Sequence, residues 1–383
     1  MKNKVTGIMS LVLVVLGAAF LTPEESWIHP RCEVLPIELA GPFVKLADGS
    51  LLAVEGNATR ISRDGGGTWS KPRQIYQGPK PGTPRNGLLL KTHDAVIVLV
   101  YGDGDTYQWG WDDTRGVPNP DIRLDVWTIR SLDEGKTWVD RQKILDGYCG
   151  ALIDIIQTKS GHIVVPIQPM LRDPGRHATY TAVSTDNGKT WKKSNLIDLG
   201  GYGHHDGAME ATLAELKDGR LWMLLRTTWD RFWQAYSDDH GLSWRVIQPS
   251  TIDASSSPGY LQRLASGRLV LIWNRLYREG EDTYAQVTRK DFEGPYPMGK
   301  AFRWYSERTR KGDPESWQRE EISIAFSEDD GATWTDPVVI ARQKQEWFCY
   351  SYLFEAEPGL LWIFPGFGRG LRISLREADF VKS

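Results

Sequence analysis

Residues 184–191 read STDNGKTW, and the pattern returns at four other places in the 383-residue chain: SRDGGGTW (Ser62–Trp69), SLDEGKTW (Ser131–Trp138), SDDHGLSW (Ser237–Trp244) and SEDDGATW (Ser327–Trp334). Ser, Asp, Gly, a hydroxyl residue and Trp keep fixed offsets in every copy. Each suits a hairpin turn: the Asp accepts from turn N–H groups, the Gly takes a conformation costly for other residues, and the Trp covers an apolar seam. The boxes are therefore read as structural, and their recurrence as the mark of a repeat architecture.

A fainter repeat lies upstream of each box, a turn followed by an apolar strand. It reads DGSLLAV from Asp48, HDAVIVLV from His93, SGHIVV from Ser160, DGRLWMLL from Asp218, SGRLVLIW from Ser266 and PGLLWIF from Pro358. The first five units are each followed by a box, and the sixth runs out after Leu371–Arg376. Six four-stranded units set radially make a six-bladed β-propeller, which leaves few exposed strand edges. The expected fold is all-β.

Outside the repeats, Lys2 and Lys4 precede an uncharged apolar run from Ile8 to Leu21. That pattern reads as a signal peptide over residues 1–25, too short to span a bilayer comfortably, followed by one propeller domain over 26–383 that is secreted or periplasmic. No later stretch reads as a membrane span. A formal charge of −3 gives no global attraction to nucleic acid. Cys32, Cys149 and Cys349 fit no zinc spacing and permit at most one disulfide. Residues 276–318, charged and containing Pro and Gly, break the period as a loop inserted in the fifth unit.

Blade strands alternate in direction, so positions of equal phase gather at one mouth of the central channel. The start of the innermost strand holds Ala40, Arg85, Glu210, Pro258 and Tyr350; the end of the second holds Arg226; the start of the third holds Arg123, Arg176, Asp230 and Arg319. Arginines point to a carboxylate-bearing substrate, because the guanidinium fork matches a carboxylate in two parallel hydrogen bonds. A Tyr beside a Glu makes a nucleophile with its base. In GYGHHDGAMEA, His204, His205 and Asp206 fall near the same mouth, but two adjacent His with one Asp argue only weakly for a metal without a third well-placed ligand. No cofactor is implied.

The five boxes resemble the Asp-boxes of sialidases, and the resemblance covers nearly all of residues 26–383. In EATLAELKDGRLWMLLR, Glu210 and Arg226 match the family's Tyr-activating Glu and one arginine of its carboxylate-binding triad. Arg319, eight residues before a box serine, stands where the family places another, and Tyr350 in CYSYLFEAEPGLLWIF is similar to its nucleophile motif. The first triad arginine is missing from its obvious position, where LAGPFVKLADGSLLA has Ala40; a second register places it at Arg85 in TPRNGLLL. The resemblance implies an Asp acid some twenty-five residues later, at Asp112 or Asp113, with Asp103 and Asp105 as alternatives. His205 becomes a substrate-binding residue.

The leading expectation is an exo-acting retaining glycosidase removing a terminal sialic acid or similar acidic sugar: Tyr350 as nucleophile, Glu210 as base, Asp112 as acid, and Arg85, Arg226, Arg319 and His205 on the substrate. Two alternatives stay open. One is a hydrolase or lyase of this fold acting on a different polysaccharide; the other is a non-catalytic glycan-binding propeller.

Overall fold

The structure, a computed structural model, describes residues 26–76, 84–280, 318–343, 347–366 and 370–381. Apart from two short 3-10 turns, its regular elements among these residues are strands. They form six antiparallel blades around a channel. Blade 1 is built of Phe43–Lys45, Leu51–Glu55, Ala58–Ser62 and Arg73–Gln74, and blade 2 of Pro84–Lys91, Ile97–Asp103, Val126–Ser131 and Val139–Leu145. Blade 3 takes Ile156–Gln157, Ile163–Ile167, Tyr180–Ser184 and Lys192–Lys193; blade 4 takes Met209–Glu215, Leu221–Arg226, Arg231–Ser237 and Arg245–Asp253. Tyr260–Arg263, Leu269–Trp273, Glu321–Ser327 and Val338–Arg342 form blade 5, with Trp27–Ile28 added at its outer edge.

Blade 6 explains how the sixth unit is completed after the chain runs out. Its own strands are Tyr352–Glu357, Leu360–Phe364 and Ile373–Arg376, and Cys32–Val34 pairs with the last of them as the fourth. The ring thus closes with a strand from the other end of the chain, leaving the third strand no open edge.

Second strands such as Ile97–Asp103 and Leu221–Arg226 are buried at every position, which accounts for their unbroken apolar runs. Both faces of each blade meet neighbours. The apolar core is divided into six clusters, one at each seam: Leu52 with Leu99 between blades 1 and 2, for example, and Phe43 with Phe364 between blades 6 and 1. Truncating one of these large side chains to Ala costs about 2–5 kcal/mol.

The boxes sit between the third and fourth strands of blades 1 to 5, at the end away from the mouth. In each, the Ser hydroxyl accepts from the Gly N–H and donates to the Asp, whose carboxylate also takes a backbone N–H and a hydroxyl from the Thr or Ser before the Trp; in blade 3 these last two bonds are 2.8 and 2.6 Å, from Thr190 to Asp186. The box glycine also touches the preceding blade. A Cβ on Gly135, whose φ is +81°, would stand 2.3 Å from Leu52 of blade 1, so the turn needs glycine for space as well as for conformation.

The three cysteines are buried and unpaired, so the one disulfide that their number permits is not formed. Most of the expected insertion, residues 281–317, lies outside the described residues, between the second and third strands of blade 5. Residues 1–25 of the expected signal peptide also lie outside them.

Candidate active site

Glu210 is the second residue of its strand, and it is there that pairing with the next strand slips: Met209 faces Arg226 and Thr212 faces Leu224, so Glu210 and Ala211 together oppose Leu225. A bulge of this kind re-aims a side chain. Glu210 has φ +41° and Tyr350 has φ +55°, a region costly for residues with a side chain. The Glu210 N–H is held by the Gln168 side-chain carbonyl at 2.8 Å.

The two strained residues meet. The Tyr350 hydroxyl donates to Glu210 Oε1 at 2.7 Å, and Arg226 Nη1 bonds both Glu210 Oε2 at 2.6 Å and the Tyr350 oxygen at 3.1 Å. Arg226 is 2% exposed, so its ion pair with Glu210 is shielded from solvent. Burial pushes the Tyr350 hydroxyl well above its ordinary range, and the Glu210 charge adds to the effect. The phenol is therefore neutral until its proton is taken.

Ser256 joins the two arginines. Its hydroxyl accepts from Arg226 Nε and Nη2 at 3.2 and 3.1 Å, and its carbonyl accepts from Arg319 Nη2 at 2.7 Å. Arg319, 4% exposed, also lies 4.9 Å from the Trp347 ring and 5.8 Å from that of Tyr350. Two guanidinium groups are thus fixed beside one phenol.

His205 and His177 complete the surround. Burial, above all, holds both imidazoles down to about 4; the His204 and Arg226 charges push His205 the same way, and Glu210 opposes this in both residues. Both are neutral at neutral pH. His177 Nε2 donates to the His204 carbonyl at 3.1 Å. Beneath these residues the central channel opens as a cavity of about 1340 Å³, lined at the mouth by Ala40, Gly150, Glu210, Tyr350 and Gly366.

The other expected residues divide. Arg85 lies in the innermost strand of blade 2, opposite Gly102 and just before a bulge, the register that Met209 holds opposite Arg226 in blade 4; its side chain lies outside the described residues. Asp112 starts a hairpin and spends Oδ1 on the N–H groups of Thr114 and Arg115, both 3.0 Å away, instead of meeting Tyr350. The next residue, Asp113, is felt electrostatically by His204. Asp103 holds the N–H of Asp105 and faces Arg141, and Asp105 is exposed. Asp206 is buried and consumed by Tyr202, Gly207 and Thr228. Arg123 and Arg176 pair with nearby aspartates, away from the Tyr350–Glu210 pair. No group of three metal-ligating side chains exists among the described residues.

Ser256, His177 and Gln168 were not anticipated. Ser256 sits in an unremarkable ASSSPG run, His177 and Gln168 lie in an excursion of blade 3, and nothing in their local sequence marks them.

Residues 55–363 match the family described as BNR repeat-like domain. No curated protein matches the chain in sequence. Among solved structures, it is similar to the Hadza microbial sialidase Hz136, with a TM-score of 0.60 and 18% identity over 88% of this chain, which spans 65% of that sialidase's length, just under two thirds. A protein of unknown function from Dyadobacter fermentans matches with a TM-score of 0.55 and 16% identity, over 90% of this chain and 98% of that one. The intramolecular trans-sialidase from Ruminococcus gnavus, solved with oseltamivir carboxylate, matches with 0.53 and 15%, over 89% and 95%. At such identities the likeness shows a shared fold.

Proposed function

The chain belongs to the BNR repeat-like domain family, and from that membership and the geometry of the mouth we propose that it is an exo-acting retaining glycosidase that removes a terminal sialic acid or similar acidic sugar. The triangle of Tyr350, Glu210 and Arg226, closed at 2.6–3.1 Å between strained residues of blades 4 and 6, carries the reading. A binding platform has no need of a buried phenol held against a carboxylate.

In this reading the sugar's carboxylate lies against Arg319 and Arg226, which hold it by charge-assisted bonds. Glu210 takes the Tyr350 proton as the phenol oxygen attacks the anomeric carbon, and an Asp of the 103–113 loop protonates the departing oxygen. Asp112 is the residue chosen from sequence, while Asp113 is the one whose charge acts on His204. Water then cleaves the tyrosyl–sugar bond with the same Asp as base, regenerating Tyr350. A neutral nucleophile avoids the repulsion that a carboxylate would meet from the sugar's own carboxylate, and sialidases with a tyrosine nucleophile are a known exception to the two-carboxylate scheme. Neutral His205 contacts the uncharged part of the substrate. The apolar run Ile8–Leu21 directs export to the periplasm or beyond.

A second reading is favoured by Ala40, which lines the channel mouth where the sialidase resemblance asks for an arginine: the same machinery acting on a different acidic polysaccharide. Release of fluorophore from methylumbelliferyl α-sialoside separates the two. Turnover by the wild type, lost in Tyr350→Phe and Arg319→Ala, supports the first; no turnover by folded protein moves the substrate to another glycan.

A further inference from the structure

Blades 2 and 3 each make an excursion between their second and third strands, over residues 104–125 and 168–179, and each excursion carries a small ribbon of its own. The ribbons are locked together. Arg172 donates to the carbonyls of Asn119 and Pro120 at 3.1 and 2.5 Å, and Gly175 lies so close that a Cβ there would meet the Trp111 ring at 2.4 Å. On this rigid rim the Trp109 and Trp111 rings lie within 13° of parallel, with centroids 6.5 Å apart, and Tyr148 is 5.1 Å from Trp109. His204 stands edge-on to both tryptophans, 6.3 and 5.3 Å away.

Such a stack would ordinarily be core, yet Trp109 is 38% exposed. A cluster of aromatic rings left partly open beside a polar site offers a surface that a ligand can cover. The wall runs on into the reactive centre: His204 touches His205 at 4.2 Å, and His205 feels Arg226, Glu210 and Arg319. The two ends differ in chemistry. Arginines suit the charged sugar, whereas flat rings suit the C–H face of an uncharged one, and tryptophan provides that surface at little entropic cost.

We propose that Trp109, backed by Trp111 and Tyr148, is a subsite for the neutral pyranose to which the acidic sugar is attached, holding it by stacking. Its place in the reaction rests on the glycosidase reading; its affinity for a neutral sugar does not. Lactose serves as probe, followed by saturation-transfer NMR on the full-length protein, with Trp109→Ala and Trp109→Phe beside the wild type. Lactose signals in the wild type and the Phe variant, lost in the Ala variant, are expected. On a sialyl trisaccharide kcat/KM falls about three- to ten-fold in Trp109→Ala, while on a methyl α-sialoside, which carries no neutral sugar, it is unchanged.

Lactose signals equal in all three proteins, absent from the wild type, or equal losses on both substrates would overturn the subsite. Lactose held through Trp109 by a protein that cleaves no sialoside would instead remove sialic acid as the acidic sugar and leave the subsite standing.

Discussion

The two ends of the propeller are built by opposite rules. At the box end five turns repeat one set of bonds, each made within eight residues, so Asp64 binds Ser62 and Thr68 as Asp329 binds Ser327 and Thr333. At the mouth no two blades contribute alike: Glu210 comes from blade 4, Arg319 from blade 5 and Tyr350 from blade 6, and the bond between Tyr350 and Glu210 spans 140 positions. Repetition serves stability, and its absence brings unlike groups together. The box end should therefore tolerate loss of function poorly in folding terms and well in catalytic terms, with the mouth the reverse.

The largest effect should come at the mouth. Glu210→Gln keeps the shape but removes the base, and kcat should fall by about 10²–10⁴; initial rates on the cleaved glycan, with melting curves as control, measure it. Arg319→Ala should come next. Losing a charged hydrogen-bond partner costs roughly 1.5–3 kcal/mol, read as a rise in KM of about ten- to a hundred-fold for the acidic substrate. At the box end, Asp186→Ala strips the ligand from Ser184 and Thr190 and should cost about 1–3 kcal/mol in urea unfolding while the folded fraction keeps its kcat. Activity lost with Asp186 but kept with Glu210 would break the contrast.

Acid should separate the ends more gently. His177 and His205 ordinarily titrate near 6.5 but are held, chiefly by burial, at about 4. Between those values the unfolded chain binds more protons, so stability is full above about 6.5 and declines as the pH falls toward 4. The box carboxylates lie lower: hydrogen bonds from the Thr68 hydroxyl first, then from its N–H and Ser62, bring Asp64 down to about 2. The contribution of Asp64 is present above the ordinary carboxylate value of 3.8 and is lost as the pH falls through about 2; the other four box carboxylates are lowered in the same direction. Urea midpoints from pH 7.5 to 4.5 should fall in the wild type and fall less in His177→Asn; equal slopes would remove His177 from the account.

The same contrast decides what could be read without a structure. The boxes and apolar turns are local signals, and they determine blade number and phase; from phase alone Glu210, Arg226, Arg319 and Tyr350 converge. Ring closure by Cys32–Val34 was not legible, because three residues carry no period. Nor were Ser256 and Gln168, whose roles arise from bonds to Arg226 and Glu210 made across the mouth. Asp112 illustrates the limit: spacing alone selected it, and only the hairpin reveals that its Oδ1 serves its own turn.

The most direct test asks whether the Tyr350 oxygen is the nucleophile that bonds the sugar. Incubation of the full-length protein with a fluorinated analogue of the acidic sugar, which forms the covalent intermediate but hydrolyses slowly, followed by peptide mass spectrometry, locates the bond. One sugar adduct per chain is expected, on the peptide containing Tyr350, and none in Glu210→Gln over the same time. An adduct on a carboxylate, or steady aglycone release with no adduct on Tyr350, would contradict it.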